Sequence, residues 1–369
     1  MAISAFFYQE FRAEQSEDVA VFFYFNEIPP FVEDELVRLY GHIHSSLAFF
    51  KAAGWADKAN TYVAWRGGRP VTVLLFQCKD GVIDVLNEMV AIDEAEICRF
   101  ADHIFNSLRS IWAIKFRAVQ ADIHRLHFPY QRHNSKEDWV VHLPDGPAEY
   151  TARLGKSTRE NIKYYRRRLV RDFPSFTCRF YTGKDIDEGH IRGIIELSEK
   201  RILAKRKRFG IDESDLERII RLAKQCGFVC VMQIDGRLCA GTISYRAGSA
   251  YLIEVIAHDQ KYNKYSLGTI CYYMTICEYI VRGAKKFHMG GGRNEYKARF
   301  LGVRQDMDHL EIYRSHTYLV LNLHRVAKTA IDGYIRRVKV WLLERENSFI
   351  TQSVIYALYL LRRLGGRNG

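Results

Sequence analysis

Residues 61–78, TYVAWRGGRPVTVLLFQC, alternate apolar and polar positions on either side of two glycines: Tyr62 and Ala64 before Gly67-Gly68, then Val71, Val73 and Leu75. A period of two broken by glycines predicts strand, turn, strand. VIDVLNEM (82–89) reads as a further short strand. EAEICRFADHIFNSLRSI (94–111) has the three-to-four spacing of an amphipathic helix.

The second half repeats that order. LGKSTRENIKYYRRRLVRDFPSF (154–176) carries Leu154, Ile162, Tyr165 and Leu169 as a helical stripe, and Ser157 followed by Glu160 reads as a capping box. IRGIIELSEKRILAKRKR and ESDLERIIRLAKQC are helical, and residues 228–259 form a three-stranded meander with Asp235-Gly236 as a type I′ turn. An apolar helix at 268–282 and a short strand, KKFHMGGG, complete the half. The pattern predicts a mixed α/β fold: two tandem domains, each a largely antiparallel sheet flanked by helices. The division expected is 1–145, 146–315 and a helical extension at 316–369.

A chain of 369 residues is long enough for two cores, and 48% hydrophobic residues with seven prolines describe a folded protein. The longest apolar runs, VAVFFYF and SVIYALYLL, are shorter than the roughly 20 residues needed to span a bilayer. The first residues lack the regions of a secretory signal, so a cytoplasmic location is expected. Eight scattered cysteines show no disulfide framework; Cys226 and Cys230 have no partners at zinc-finger distance, and no metal is expected. A net charge of +12 favours anionic partners: phosphorylated cofactors, nucleic acid or acidic lipid.

Strict alternation in AYLIEVIAHD (250–259) points Tyr251, Ile253, Val255 and Ala257 one way and Leu252, Glu254, Ile256 and His258 the other. Glu254 is then an acid in a strand otherwise built for burial, which is costly unless it is paired or its pKa is put to use. The strand ends in QKYNKYSLGT. Amides at the start of the following helix, with Lys261 and Lys264, form a candidate phosphate site, and Gly268 lets a ligand approach the backbone.

Strand, pyrophosphate-type turn, apolar helix ending at RGAKKF, and then GGGRNEYKARFLG together resemble the GNAT acyltransferase superfamily, in its CelD-like, FemAB-related branch. The likeness covers residues 145–305, and LGKSTRENIKYYRRRL resembles the helix that opens the second GNAT-like domain there. It implies an acyl-CoA donor, acetyl-CoA first, with pyrophosphate on Lys261, Lys264, Ser266, Leu267, Gly268 and Thr269 and pantetheine beside Ile256 and Ala257. It also implies a degenerate first domain shaping the acceptor cleft. His288 stands where the family commonly places an acid.

Acyl transfer to an amine needs a base for the nucleophile and a proton for the departing thiolate. Glu254 and His288 are alternative bases, Tyr296 a proton donor or acceptor-orienting group, and Lys297 a phosphate or oxyanion holder. The expected acceptor is an amine on a sugar nucleotide, glycan precursor or lipid. Two rivals stand beside this reading: a FemAB-type transferase using aminoacyl-tRNA, and an inactive GNAT-shaped protein binding anionic partners. RNA binding ranks low, because KYYRRR offers only two tyrosines for stacking. In the tail Ile331, Tyr334, Ile335, Val338 and Leu342 are spaced along one helix with Arg336, Arg337 and Lys339 among them, a pattern suited to peripheral membrane contact or to packing on the protein itself.

Overall fold

The computed structural model describes residues 19–205, 208–292 and 295–344. The apolar run SVIYALYLL and the residues tested for a signal lie outside them. In chain order the elements begin with β1 (Val19–Tyr24), α1 (Val32–Leu39), α2 (Leu47–Ala52), β2 (Asn60–Arg66) and β3 (Arg69–Lys79). Next come β4 (Val82–Val85), β5 (Val90–Ala91), α3 (Glu94–Ser107), β6 (Ala113–Gln120) and β7 (Tyr130–His142). They continue with α4 (Pro147–Arg153), α5 (Lys156–Asp172), β8 (Thr177–Thr182), α6 (Glu188–Ala204) and α7 (Glu213–Cys226). The meander is β9 (Gly227–Ile234), β10 (Arg237–Ala247) and β11 (Ala250–His258), followed by α8 (Leu267–Val281) and β12 (Lys286–His288). Last are α9 (Glu295–Arg299), β13 (Val303–Tyr313), α10 (His316–Leu321) and α11 (Leu323–Glu344).

Mixed α/β architecture follows the sequence pattern, with most strand pairs antiparallel. The chain divides into two compact units that interleave in sequence: residues 1–75 with 138–305, and 76–137 with 306–369.

In the first unit β8, β9, β10 and β11 pair antiparallel in sequence. Asp235 and Gly236 both adopt positive φ, as a type I′ turn between right-twisted strands requires. β11 then pairs parallel with β12, which pairs antiparallel with the end of β7. α8 buries Tyr272, Ile276 and Tyr279 against Tyr251, Ile253 and Phe287 on one sheet face. α6 and α7 lie against β10, and α2 against α7. The capping box is not formed: α5 begins at Lys156 after Gly155, without a side-chain cap, so Ser157 lies within its first turn.

In the second unit β4 and β5 pair parallel with β6, and β6 antiparallel with β13. α11 is pinned by its small and polar side. Val326 is buried with Trp112 and Tyr313, Arg325 sits over the Trp112 ring, and Gly333 lies so close to His133 that a Cβ there would come within 2.8 Å of its ring. Thr329 donates to Glu311 and Arg336 to Asn134.

Candidate functional site

β11 and β12 pair only over Ala250–Leu252 against Lys286–His288. Beyond that point β12 stays with β7, Met289 N–H donating to Trp139 O at 2.8 Å, while β11 runs on to His258. Two neighbouring strands therefore part, and the edge of β11 from Ile253 onward pairs with no described strand. One local irregularity accompanies the parting. Ile243 pairs with Val255 but the next residue, Ser244, pairs with Ile253, so Glu254 is the extra residue of a β-bulge. The bulge resets the alternation: Ile253 and Ile256 both pack on the α8 side, where strict alternation separates them. His258 follows onto that side, its ring against Gly268.

At the fork lies His288. The antiparallel register sets it opposite Val140, and the pleat puts Asp138, two residues along, on the same face. Asp138 is 1% and His288 8% exposed, and His288 Nδ1 lies 2.7 Å from Asp138 Oδ2. A carboxylate only accepts, so Nδ1 carries a proton, and in the neutral ring Nε2 holds the lone pair. That Nε2 is buried and has no hydrogen-bond partner among the described residues. The His42 ring packs edge-on against His288, centroids 4.5 Å apart. His42 Nδ1 accepts from the His44 amide at 3.1 Å, which places its proton on Nε2.

His42, Asp138 and His288 each offer a donor atom within 4.8 Å of the others. As ligands they fit poorly. Either nitrogen of His42 would have to surrender a proton or a hydrogen bond that it already holds, and the Asp138 carboxylate is engaged with His288. The arrangement suits proton transfer.

Glu254 is half-buried with Arg218 Nη2 at 3.5 Å, and the Arg218 guanidinium lies over the Phe49 ring. Phe49 in turn contacts His44. The two candidate bases are thus linked through Arg218, Phe49, His44 and His42. Tyr296 stands edge-on to Tyr272 at 5.5 Å, and burial pushes its hydroxyl above the usual value, with Arg201 opposing. Lys297 is 1% exposed and donates to the carbonyls of Gly290 and Gly291 at 2.7 and 2.6 Å. Its ammonium braces the glycine loop.

In the turn before α8, Asp259 caps the Lys261 amide, the Ser266 amide bonds to Asn263 O and the Thr269 amide to Ser266 O. No side chain caps α8. Ser266 is left-handed, φ +48°, and turns the chain into the helix. Lys261 and Lys264 are exposed, each ammonium near a neighbouring tyrosine ring, and Leu267 is buried in the core. The space above Gly268 is filled by protein: a Cβ there would come within 2.6 Å of His258 Nδ1. His258 Nε2 bonds Asn263, and burial holds its pKa below the usual 6.5. Ala257 is buried, and the Ile256 carbonyl accepts from Arg201 at 3.0 Å. The basic run of α5 lines an open groove of about 850 Å³ in which Lys163, Arg166 and Arg167 surround Ile162 and Tyr273.

A family description of an acetyltransferase (GNAT) domain matches residues 156–298. Over that stretch the chain is similar to GNAT acetyltransferase domains. The FemX crystal structure shares its fold over 80% of this chain and 98% of FemX, with a TM-score of 0.59 and 11% identity. L-PGS from Bacillus licheniformis aligns over 82% of this chain and 96% of its own at a TM-score of 0.47 and 12% identity. No curated protein matches the chain. The matched stretch is an acyltransferase domain by that description, and the FemX likeness, at that identity, shows a shared fold.

Sequence reasoning missed Asp138, His42, Arg201 and Arg218. A signal for Asp138 existed: an acid heading the apolar run DWVV is the same anomaly that singled out Glu254.

Proposed function

We propose that this GNAT domain transfers an acyl group from acyl-CoA to an amine, with His288 as general base. The observation that carries the reading is the Asp138–His288 bond, which presents a buried, unshared Nε2 lone pair where β11 and β12 part. Asp138 fixes the tautomer and steadies the charge that His288 acquires when Nε2 takes the proton of the attacking amine. Tyr296, kept protonated by burial, gives its proton to the departing thiolate. The thioester arm runs along the unpaired edge of β11, and phosphate sits near the head of α8 beside the exposed Lys261 and Lys264. Glu254, tied to Arg218, is an electrostatic neighbour of the base. The acceptor class, an amine of a sugar, glycan precursor or lipid, follows from the family likeness alone.

Calorimetric titration with acetyl-CoA and longer acyl-CoAs, with thiol release over a panel of amines, tests this. The expected result is a saturable donor and, in His288→Asn, unchanged donor affinity with transfer reduced about 100-fold or more. Folded protein that gives no heat with any acyl-CoA, but binds aminoacyl-tRNA, overturns the donor assignment; an active His288→Asn overturns the base.

A further inference from the structure

An ordinary surface helix turns its apolar stripe inward. α11 does the opposite. The side that holds it to its own unit carries Val326, Thr329, Gly333 and Arg336. Leu323, Ile331, Tyr334 and Trp341, on the other side, are 49–65% exposed, and Val320 and Leu321 at the end of α10 are 67 and 70% exposed. At 100° per residue the four fall within one sector of about 80°, with Ala327 and Val338 between them. Lys328 and Lys339 border that sector on one flank and Arg337 on the other. Over the 19 residues from Leu323 to Trp341 the stripe is about 27 Å long. No described helix is long and apolar enough to cross a membrane.

We infer that this face of α10 and α11 docks on an anionic membrane surface, with the apolar stripe in the acyl boundary and the flanking lysines and arginine among the headgroups. Charge selects this occupant. A second copy laid stripe to stripe sets Lys328, Lys339 and Arg337 against the same residues, with Asp332 the lone acid between 323 and 342 to answer them. The chain's own residues 345–369 contain Arg345, Arg362, Arg363 and Arg367 against Glu346, so they too bring like charge. Anionic lipid carries the complementary sign, which accords with the net charge of +12. Tyr334 and Trp341 are amphipathic rings of the kind that settle at the headgroup level. The inference is independent of the donor and acceptor of the acyltransferase domain.

Flotation of the full chain with vesicles of phosphatidylcholine, with and without phosphatidylglycerol, tests it. The expected result is binding to the mixed vesicles that weakens with added salt and falls at least tenfold in Ile331→Ser/Tyr334→Ser and in Lys328→Glu/Lys339→Glu. Circular dichroism checks that each variant is folded; should the double serine variant fail, quenching of Trp341 by brominated lipid, with Trp341→Phe as control, reads the same contact. Absence of flotation overturns the proposal. So does flotation that survives the stripe variants but is lost in Leu358→Asp, and so does a dimer in light scattering that the stripe variants dissociate.

Discussion

His288 Nδ1 and Asp138 Oδ2 stand 2.7 Å apart across two adjacent antiparallel strands, 150 residues apart in the chain. The pair is rigid because both residues are backbone-registered, and its geometry owes nothing to a loop.

Asp138→Asn replaces the acceptor by an amide that can donate to His288 Nδ1 and so favours the wrong tautomer. Transfer should fall about 100-fold or more with donor affinity unchanged. Thiol release beside calorimetry reads both. Equal loss of binding and rate would show that Asp138 acts on structure instead.

Glu254→Gln separates the two candidate bases. The amide keeps the shape of the bulge and a hydrogen bond to Arg218 but cannot take a proton. With His288 as base, transfer falls less than about tenfold, well short of a general base's worth. A loss matching that of His288→Asn reassigns the proton to Glu254.

His258 is held neutral by burial, against the help of its Asn263 bond, with Arg201 and Lys205 adding repulsion. A folded pKa below the unfolded one means that the unfolded chain binds more protons, so stability is full above about pH 6.5 and declines as pH falls below it. Urea unfolding between pH 7.5 and 5 should show that decline, and His258→Asn should flatten it. His103 and His133 are shifted the same way by burial and leave a residual slope.

Lys297→Met removes a buried donor from two carbonyls of the glycine loop. A loss of about 1–3 kcal/mol is expected, read as a lower urea midpoint with unchanged slope. Wild-type stability in the variant would show that the loop is held otherwise.

Where structure is set by neighbours in sequence, the chain could be read directly. The Asp235-Gly236 turn, the meander around it, α3, α6, α7 and α8 all announce themselves through local turn chemistry and periodicity. β8 and β13 do not, because TCRFYT and VRQDMDHLEIY are crowded with polar residues that mask alternation. Ser157 and Glu160 match the spacing of a cap, but the helix starts at Lys156, and spacing alone does not say which residue is first. Among the site residues, His288 and Glu254 stood out as polar groups in apolar strands. Asp138 and His42 gained meaning only from partners that registration brings to them.

The extra residue at Glu254 also fixes which side chains of β11 meet the interior. Were Glu254 instead paired in an unbroken ladder with β10, everything downstream of it would be inverted. Ile256 would then leave the cluster beneath α8, and His258 would swing away from Gly268. One glutamate thus decides which way up the strand's last four residues lie.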